Sequence, residues 1–166
     1  MVIHASAKFA TRLKCAVSLS NRRHVQTIKI DSWSGDIVGA YGVGDFAVMM
    51  NDASFSVVVV PLKGLKTFDQ FLEVFLPRAA RLFIQAGSSF ETRNRTVIVL
   101  RRTDRSLIGS MNGAKREARY EIESHFANDE IDWNQVEDHL NQIPFSAIGY
   151  NSPKDELVRV LASELY

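Results

Sequence analysis

Between Phe68 and Phe83 the chain places Phe68, Phe71, Leu72, Phe75, Leu76, Ala79, Leu82 and Phe83 at helical spacing, forming a broad apolar stripe. A helix carrying such a stripe is stable in water only when that stripe lies against another apolar surface. Thr67 stands where an N-cap is needed, with Gln70 three residues on in capping-box register, and Gly87 ends the pattern. The spacing therefore predicts one helix over 67–86, kinked or split where Pro77 interrupts it. Just upstream, Val57 to Val60 is apolar at every position and Pro61 stops it. Such a run predicts a central strand covered on both faces.

Shorter signals fill in the rest. Val2 to Ala5 reads as a strand, and Ala7 to about Ser18 as a helix with Phe9 and Leu13 inward. Val25, Ile28 and Ile30 suit a strand that ends at the turn-rich Asp31-Ser32-Trp33-Ser34-Gly35-Asp36. Apolar runs over 37–43, 46–50 and 55–60, parted by Gly44-Asp45 and Asn51-Asp52, predict an antiparallel meander. Thr96 to Leu100 makes a further strand, and a helix follows over 106–126 with Met111, Ala114, Ala118 and Ile122 inward. Asp132 caps a short helix bearing Val136 and Leu140. Ser152-Pro153 opens the last helix in N-cap and N1 positions.

One chain of 166 residues, with no linker, repeat or low-complexity segment, fits one domain over 1–166. Its 46% apolar and 23% charged content is that of a globular protein. A single cysteine, Cys15, permits no internal disulfide, and no zinc-type Cys/His spacing exists. The first residues lack the apolar core of a signal peptide, and the longest apolar run is too short to span a bilayer. These features favour the cytoplasm, with no membrane partner, cofactor or metal expected. The net charge of +1 hides an asymmetry: residues 1–116 hold 17 Lys/Arg against 8 Asp/Glu, and residues 117–166 hold 3 against 11. Two explanations fit, an anionic partner or an acidic segment covering a basic one.

The stretch Thr103 to Asn112 brings an arginine, two serines, a glycine and an asparagine to a strand-to-helix junction, where unpaired N–H groups favour anions. Arg105, Ser106, Ser110 and Asn112 are its candidate donors. The plainer alternative makes Asp104 or Ser106 a helix cap and Gly109 a point of close backbone approach. The lysine and glycine spacing of a P-loop is missing. Arg93, Arg95, Arg101 and Arg102 form a candidate basic stripe, extended by Lys115, Arg116 and Arg119, suited to a phosphate backbone or to salt bridges. Glu117, Glu121 and His125 share one helix face, with His139 as a distant fourth group; a solvated face is the simpler reading.

Arg105-Ser106-Leu107-Ile108-Gly109-Ser110-Met111-Asn112 resembles an Arg-Ser-Val-Leu-Gly-Ser-Met-Asn motif of a family of small bacterial domains of unknown function. Three further pieces are similar in the same order: the opening strand and helix, Asn51 to Leu62, and Pro144-Phe145-Ser146-Ala147-Ile148-Gly149-Tyr150 with Pro153. The resemblance weakens over 20–44 and at Pro77. It implies a single α+β domain in a bacterial or phage-borne protein, and no reaction. The fold expected is α+β, an antiparallel-rich sheet of about five or six strands with helices packed on it. The function expected is a non-catalytic binding or regulatory module with an anion-accepting site, its ligand a small anion or nucleic acid. The alternative is a small enzyme acting on phosphate esters or nucleic acid. Arg105 and Asn112 are further expected to satisfy the packed backbone of the 146–150 loop.

Overall fold

The computed structural model describes residues 1–18, 29–90, 96–126 and 131–164. Five strands, β1 (Val2–Ala5), β2 (Ser32–Ala40), β3 (Gly44–Asn51), β4 (Val57–Pro61) and β5 (Ile98–Arg101), form one sheet in the order β4-β3-β2-β1-β5. Its helices are α1 (Ala7–Leu13), α2 (Phe68–Gln85), α3 (Arg105–Phe126), α4 (Trp133–Leu140) and α5 (Pro153–Glu164). The fold is α+β. The sheet is mixed, because β1 pairs parallel with both β2 and β5, while the longer β2–β3 and β3–β4 ladders are antiparallel.

Alternation along the strands sorts the core into two layers. Ile3, Trp33, Met49, Val58 and Val60 meet α1 and α2 on one face, where Phe9, Phe71, Phe75 and Leu82 pack. Trp33 meets Phe75 edge-to-face at 5.1 Å, and Phe9 meets Phe71 likewise at 5.2 Å. Gly35 makes this approach possible, since a Cβ there would stand 2.9 Å from Met49 Sδ and 3.0 Å from Phe9 Cε2. On the other face Phe46, Val48, Val57 and Val59 receive Met111, Ala114, Ala118 and Ile122 of α3 and Val136 and Leu140 of α4.

The Thr67–Gln70 capping box forms as the sequence predicts, and Gly87 closes α2 at φ 79°. Pro77 does not split the helix, which runs unbroken past it. A proline ring removes one donor and leaves the remaining ladder in place, and the buried Phe75 and Ala79 on either side hold the helix to the sheet. The first helix is shorter than its periodicity suggests, ending where Lys14 turns left-handed at φ 53°. Of the strand expected around Val25, residues 25–28 lie outside the described residues, and Ile30 belongs to a single 3-10 turn, Lys29–Asp31.

Two corrections concern the sheet. The segment Ser32 to Asp36, turn-rich by composition, is strand, and the side chains of Ser32, Ser34 and Asp36 are buried because each finds a partner. The Val57–Val60 run is buried on both faces but is an edge strand, not a central one. Its open side is closed by α4. Asn141 Nδ2 donates to Val57 O and Asn141 Oδ1 accepts the Val57 N–H, both at 2.8 Å. Glu137 Oε1 accepts the Val59 N–H at 2.9 Å, and Pro61 has no N–H to satisfy. Glu137 is fully buried and also receives Arg78 Nε at 2.8 Å and Arg81 NH2 at 2.9 Å from α2.

Two substitutions test this packing. Phe75→Ala should cost about 3–5 kcal/mol in urea unfolding, through lost burial and an unfilled cavity. Glu137→Ala should cost a similar amount, roughly 3–5 kcal/mol, because it strands two guanidinium groups and a strand N–H. Glu137→Gln, which keeps an acceptor for Val59, should lose less; equal losses would deny the strand-edge bond its role.

Candidate anion site at the ends of the parallel strands

Strands β1 and β5 run side by side in the same direction, yet the chain leaves them towards opposite faces, to α1 and to α3. At such a switch point neither helix covers the strand ends, and open sheets leave a crevice there. In this protein the strand ends gather around a buried carboxylate. Asp36 lies one residue beyond the level at which β1 ends. Its Oδ1 accepts the Ser6 hydroxyl at 2.6 Å and the Ile37 N–H at 2.9 Å. Its Oδ2 accepts Arg102 NH2 at 3.0 Å and Lys115 Nζ at 2.9 Å. Ser6 also caps α1 by accepting the Phe9 N–H.

Burial alone would raise the Asp36 pKa, but the bonds from Ser6, Lys115, Ile37 and Arg102 outweigh it and hold the carboxyl at about 2. Arg102 reaches this place because β5 ends one residue earlier and its N–H still donates to Ala5 O. Its side chain is only 9% exposed, and NH1 is buried with no hydrogen-bond partner. One carboxylate thus faces two cations, leaving the cluster with an excess positive charge.

The sequence-stretch 105–112 supplies the first turns of α3. Asp104 is its cap, accepting the N–H groups of Ser106 and Leu107 and the Ser106 hydroxyl. Arg105, Ser106 and Asn112 are exposed and Ser110 is half-buried. Arg105, Ser110 and Asn112 make no side-chain hydrogen bond or ion pair among the described residues. Gly109 has open space where a Cβ would stand, so close backbone approach is not its reason. Of the basic stripe, Arg101 is exposed and Arg102 turns to Asp36; Arg93 and Arg95 lie outside the described residues.

The family model of a domain of unknown function, DUF6933, matches residues 2–156. The chain belongs to the DUF6933 family. No curated protein and no solved structure matches it.

In this DUF6933 domain the 144–150 loop shares the apolar layer of α3: Phe145 and Ile148 pack against the cluster that contains Met111, and Phe145 lies 3.9 Å from where a Gly113 Cβ would be. Its backbone, however, is satisfied from within, by bonds such as Tyr150 N–H to Phe145 O and Phe145 N–H to Asn151 O. Neither Arg105 nor Asn112 is needed there, contrary to expectation. No group of three or more His, Cys, Asp or Glu among the described residues could hold a metal. Glu121 instead takes His125 at 3.1 Å and His139 at 3.7 Å, and Glu117 pairs with Arg116. Among the described residues, no acidic side chain beyond residue 116 pairs with Arg101, Arg102 or Arg105; Glu137 and Asp138 pair with Arg78 and Arg81.

Sequence reasoning missed Ser6 and Asp36, and it placed Lys115 on a surface stripe. It also missed His4 and Asp52 on the α3 face of the sheet. Asp52 accepts the hydroxyls of Ser32 at 2.5 Å and Ser34 at 2.7 Å, with His4 Nε2 at 3.7 Å. Burial pushes its carboxyl up, helped by the charge of Asp104, against the two serines and His4.

The depressed Asp36 pKa has a pH consequence. The unfolded carboxyl titrates near 3.8 and the folded one at about 2, so the bonded carboxylate stabilises the fold above the higher value. That contribution, about 2 kcal/mol, is lost as pH falls through the folded pKa. Urea unfolding followed from about pH 5 down to about pH 2 should show this loss in the native protein. Asp36→Asn should start less stable and flatten that limb.

Proposed function

We propose that this domain is a non-catalytic binding module that accepts an anion where β1, β5 and α3 meet. The observation that carries this reading is the charge imbalance at Asp36: two cations for one carboxylate, with a buried Arg102 nitrogen unspent. Arg101 and Arg105 flank Arg102 in sequence, exposed and without ion pairs among the described residues. A guanidinium that is partly desolvated and already fixed by a carboxylate loses little freedom when it binds, and charge-assisted bonds made there are stronger than in open water. Arg105, Ser110 and Asn112 contribute donors from the exposed first turns of α3, and Ser106, tied to Asp104, shapes the cap. Phosphate groups, free or along a nucleic-acid backbone, match this chemistry.

A second reading, a small enzyme acting on phosphate esters or nucleic acid, is favoured by one observation. His4 stands beside Asp52, whose carboxyl is pushed up by burial, so a proton-transfer pair lies on the same sheet face as α3. Turnover separates the two readings, since the module binds without changing its ligand.

Fluorescence polarisation with a labelled single-stranded oligonucleotide, and competition by inorganic phosphate, test the proposal. Binding should weaken with added salt, and Arg105→Ala should lower affinity by roughly tenfold, the worth of one bond to a charged group. Absence of binding at low salt to either probe removes the reading. Cleavage of the oligonucleotide, lost in His4→Ala, transfers the weight to the enzyme.

A further inference from the structure

Helices α2, α4 and α5 leave a pocket of about 260 Å³ between them, with no residue in common with the Asp36 cluster. Its floor is apolar: Leu82 and Leu157 are buried, and Ala86 is half-buried at the end of α2. Ser56 and Asn141 also line it, but their bonds are committed to Pro153 O and to the β4 edge. The rim differs. Gln85, Gln142 and Lys154 all line the pocket, are exposed, and make no side-chain hydrogen bond or ion pair among the described residues. Asp138 completes the rim as a half-exposed carboxylate shared with Arg81.

We infer that this pocket binds a small zwitterion of the α-amino-acid class. The volume lies just below the range usual for drug-sized ligands, which limits the occupant to a small metabolite. Lys154 offers an ammonium on the rim that suits a carboxylate. Asp138 has acceptor capacity beyond its contact with Arg81 and suits an ammonium group. Two free amides, Gln85 and Gln142, each offer a donor and an acceptor for the remaining polar atoms. The Leu82–Ala86–Leu157 floor takes a short apolar side chain. A simple anion would leave Asp138 facing it unfavourably, and a purely apolar molecule would strand the rim.

Calorimetric titration of the full chain with a panel of amino acids, and with the corresponding carboxylic acids lacking the amine, tests the inference. At least one amino acid with a short aliphatic side chain should bind. Lys154→Met should weaken it roughly tenfold or more, as loss of a charge-assisted bond does. Ala86→Phe, which fills the pocket from the end of α2, should abolish it while the far-ultraviolet circular dichroism stays native. Equal binding by the amine-free acid overturns the assignment to a zwitterion. So does unchanged affinity in Lys154→Met, or no binding by any member of the panel.

Discussion

The buried carboxylate of Glu137 is the contact on which the two helical layers and the sheet depend together. It takes a strand N–H from β4 with one oxygen, and it takes guanidinium groups from α2 with both. Helix α2 belongs to one face of the sheet and α4 to the other, so this single residue ties the layers around the β4 edge. An open strand edge invites pairing with other chains. Here Asn141 and Glu137, one helical turn apart, occupy the outward N–H and C=O of Val57 and the N–H of Val59, and Pro61 has no N–H to offer. Burying an ion of this kind is costly unless every partner is in place. The cost is met only by the native arrangement of α2, α4 and β4.

That contact also explains the charge asymmetry of the chain. Apart from the adjacent Arg116–Glu117 pair, the described ion pairs between the basic body and acidic later segment join Arg78 and Arg81 on α2 to Glu137 and Asp138 on α4. Arg102, at the end of β5, finds its carboxylate in Asp36 instead. Charge counting along the sequence gives the sign of the attraction and not its address, because pairing depends on which elements the sheet order brings together.

Local signals were legible where the responsible residues are neighbours in sequence. Thr67 and Gln70 announce the start of α2, Asp132 that of α4, and the inward face of α3 follows from Met111, Ala114, Ala118 and Ile122. What could not be read depends on distant partners. Ser32, Ser34 and Asp36 look like turn residues until Asp52, Arg102 and Lys115 are seen to satisfy them inside a strand. Val57 to Val60 looks central because it is covered on all sides, yet its cover on the open edge comes from Glu137 and Asn141. The parallel pairing of β1 leaves no mark in alternation, which is the same for both directions. Of the candidate site, Arg105 and Arg102 were visible as cations, but nothing near them in sequence signals Asp36 or Ser6.

The two buried charge clusters differ in a way that bears on function. At the β4 edge, Arg78 and Arg81 face Glu137 and Asp138, two cations for two anions. At the strand ends, Arg102 and Lys115 face only Asp36 among the described residues. Each cluster holds guanidinium nitrogens with no hydrogen-bond partner, Arg78 NH2 and Arg81 Nε in the first and Arg102 NH1 in the second. An unspent donor is therefore not by itself the mark of a ligand site. The difference lies in the balance: the first cluster is neutral and lies between two helices, whereas the second, among the described residues, sets two cations against one carboxylate at a switch point. An added anion gains nothing from a cluster whose charges already balance. It gains Coulomb attraction at the second, in a partly desolvated place where that attraction is less screened than at the open surface. This contrast, drawn within one molecule, is the physical ground for the proposal of an anion site at the ends of β1 and β5.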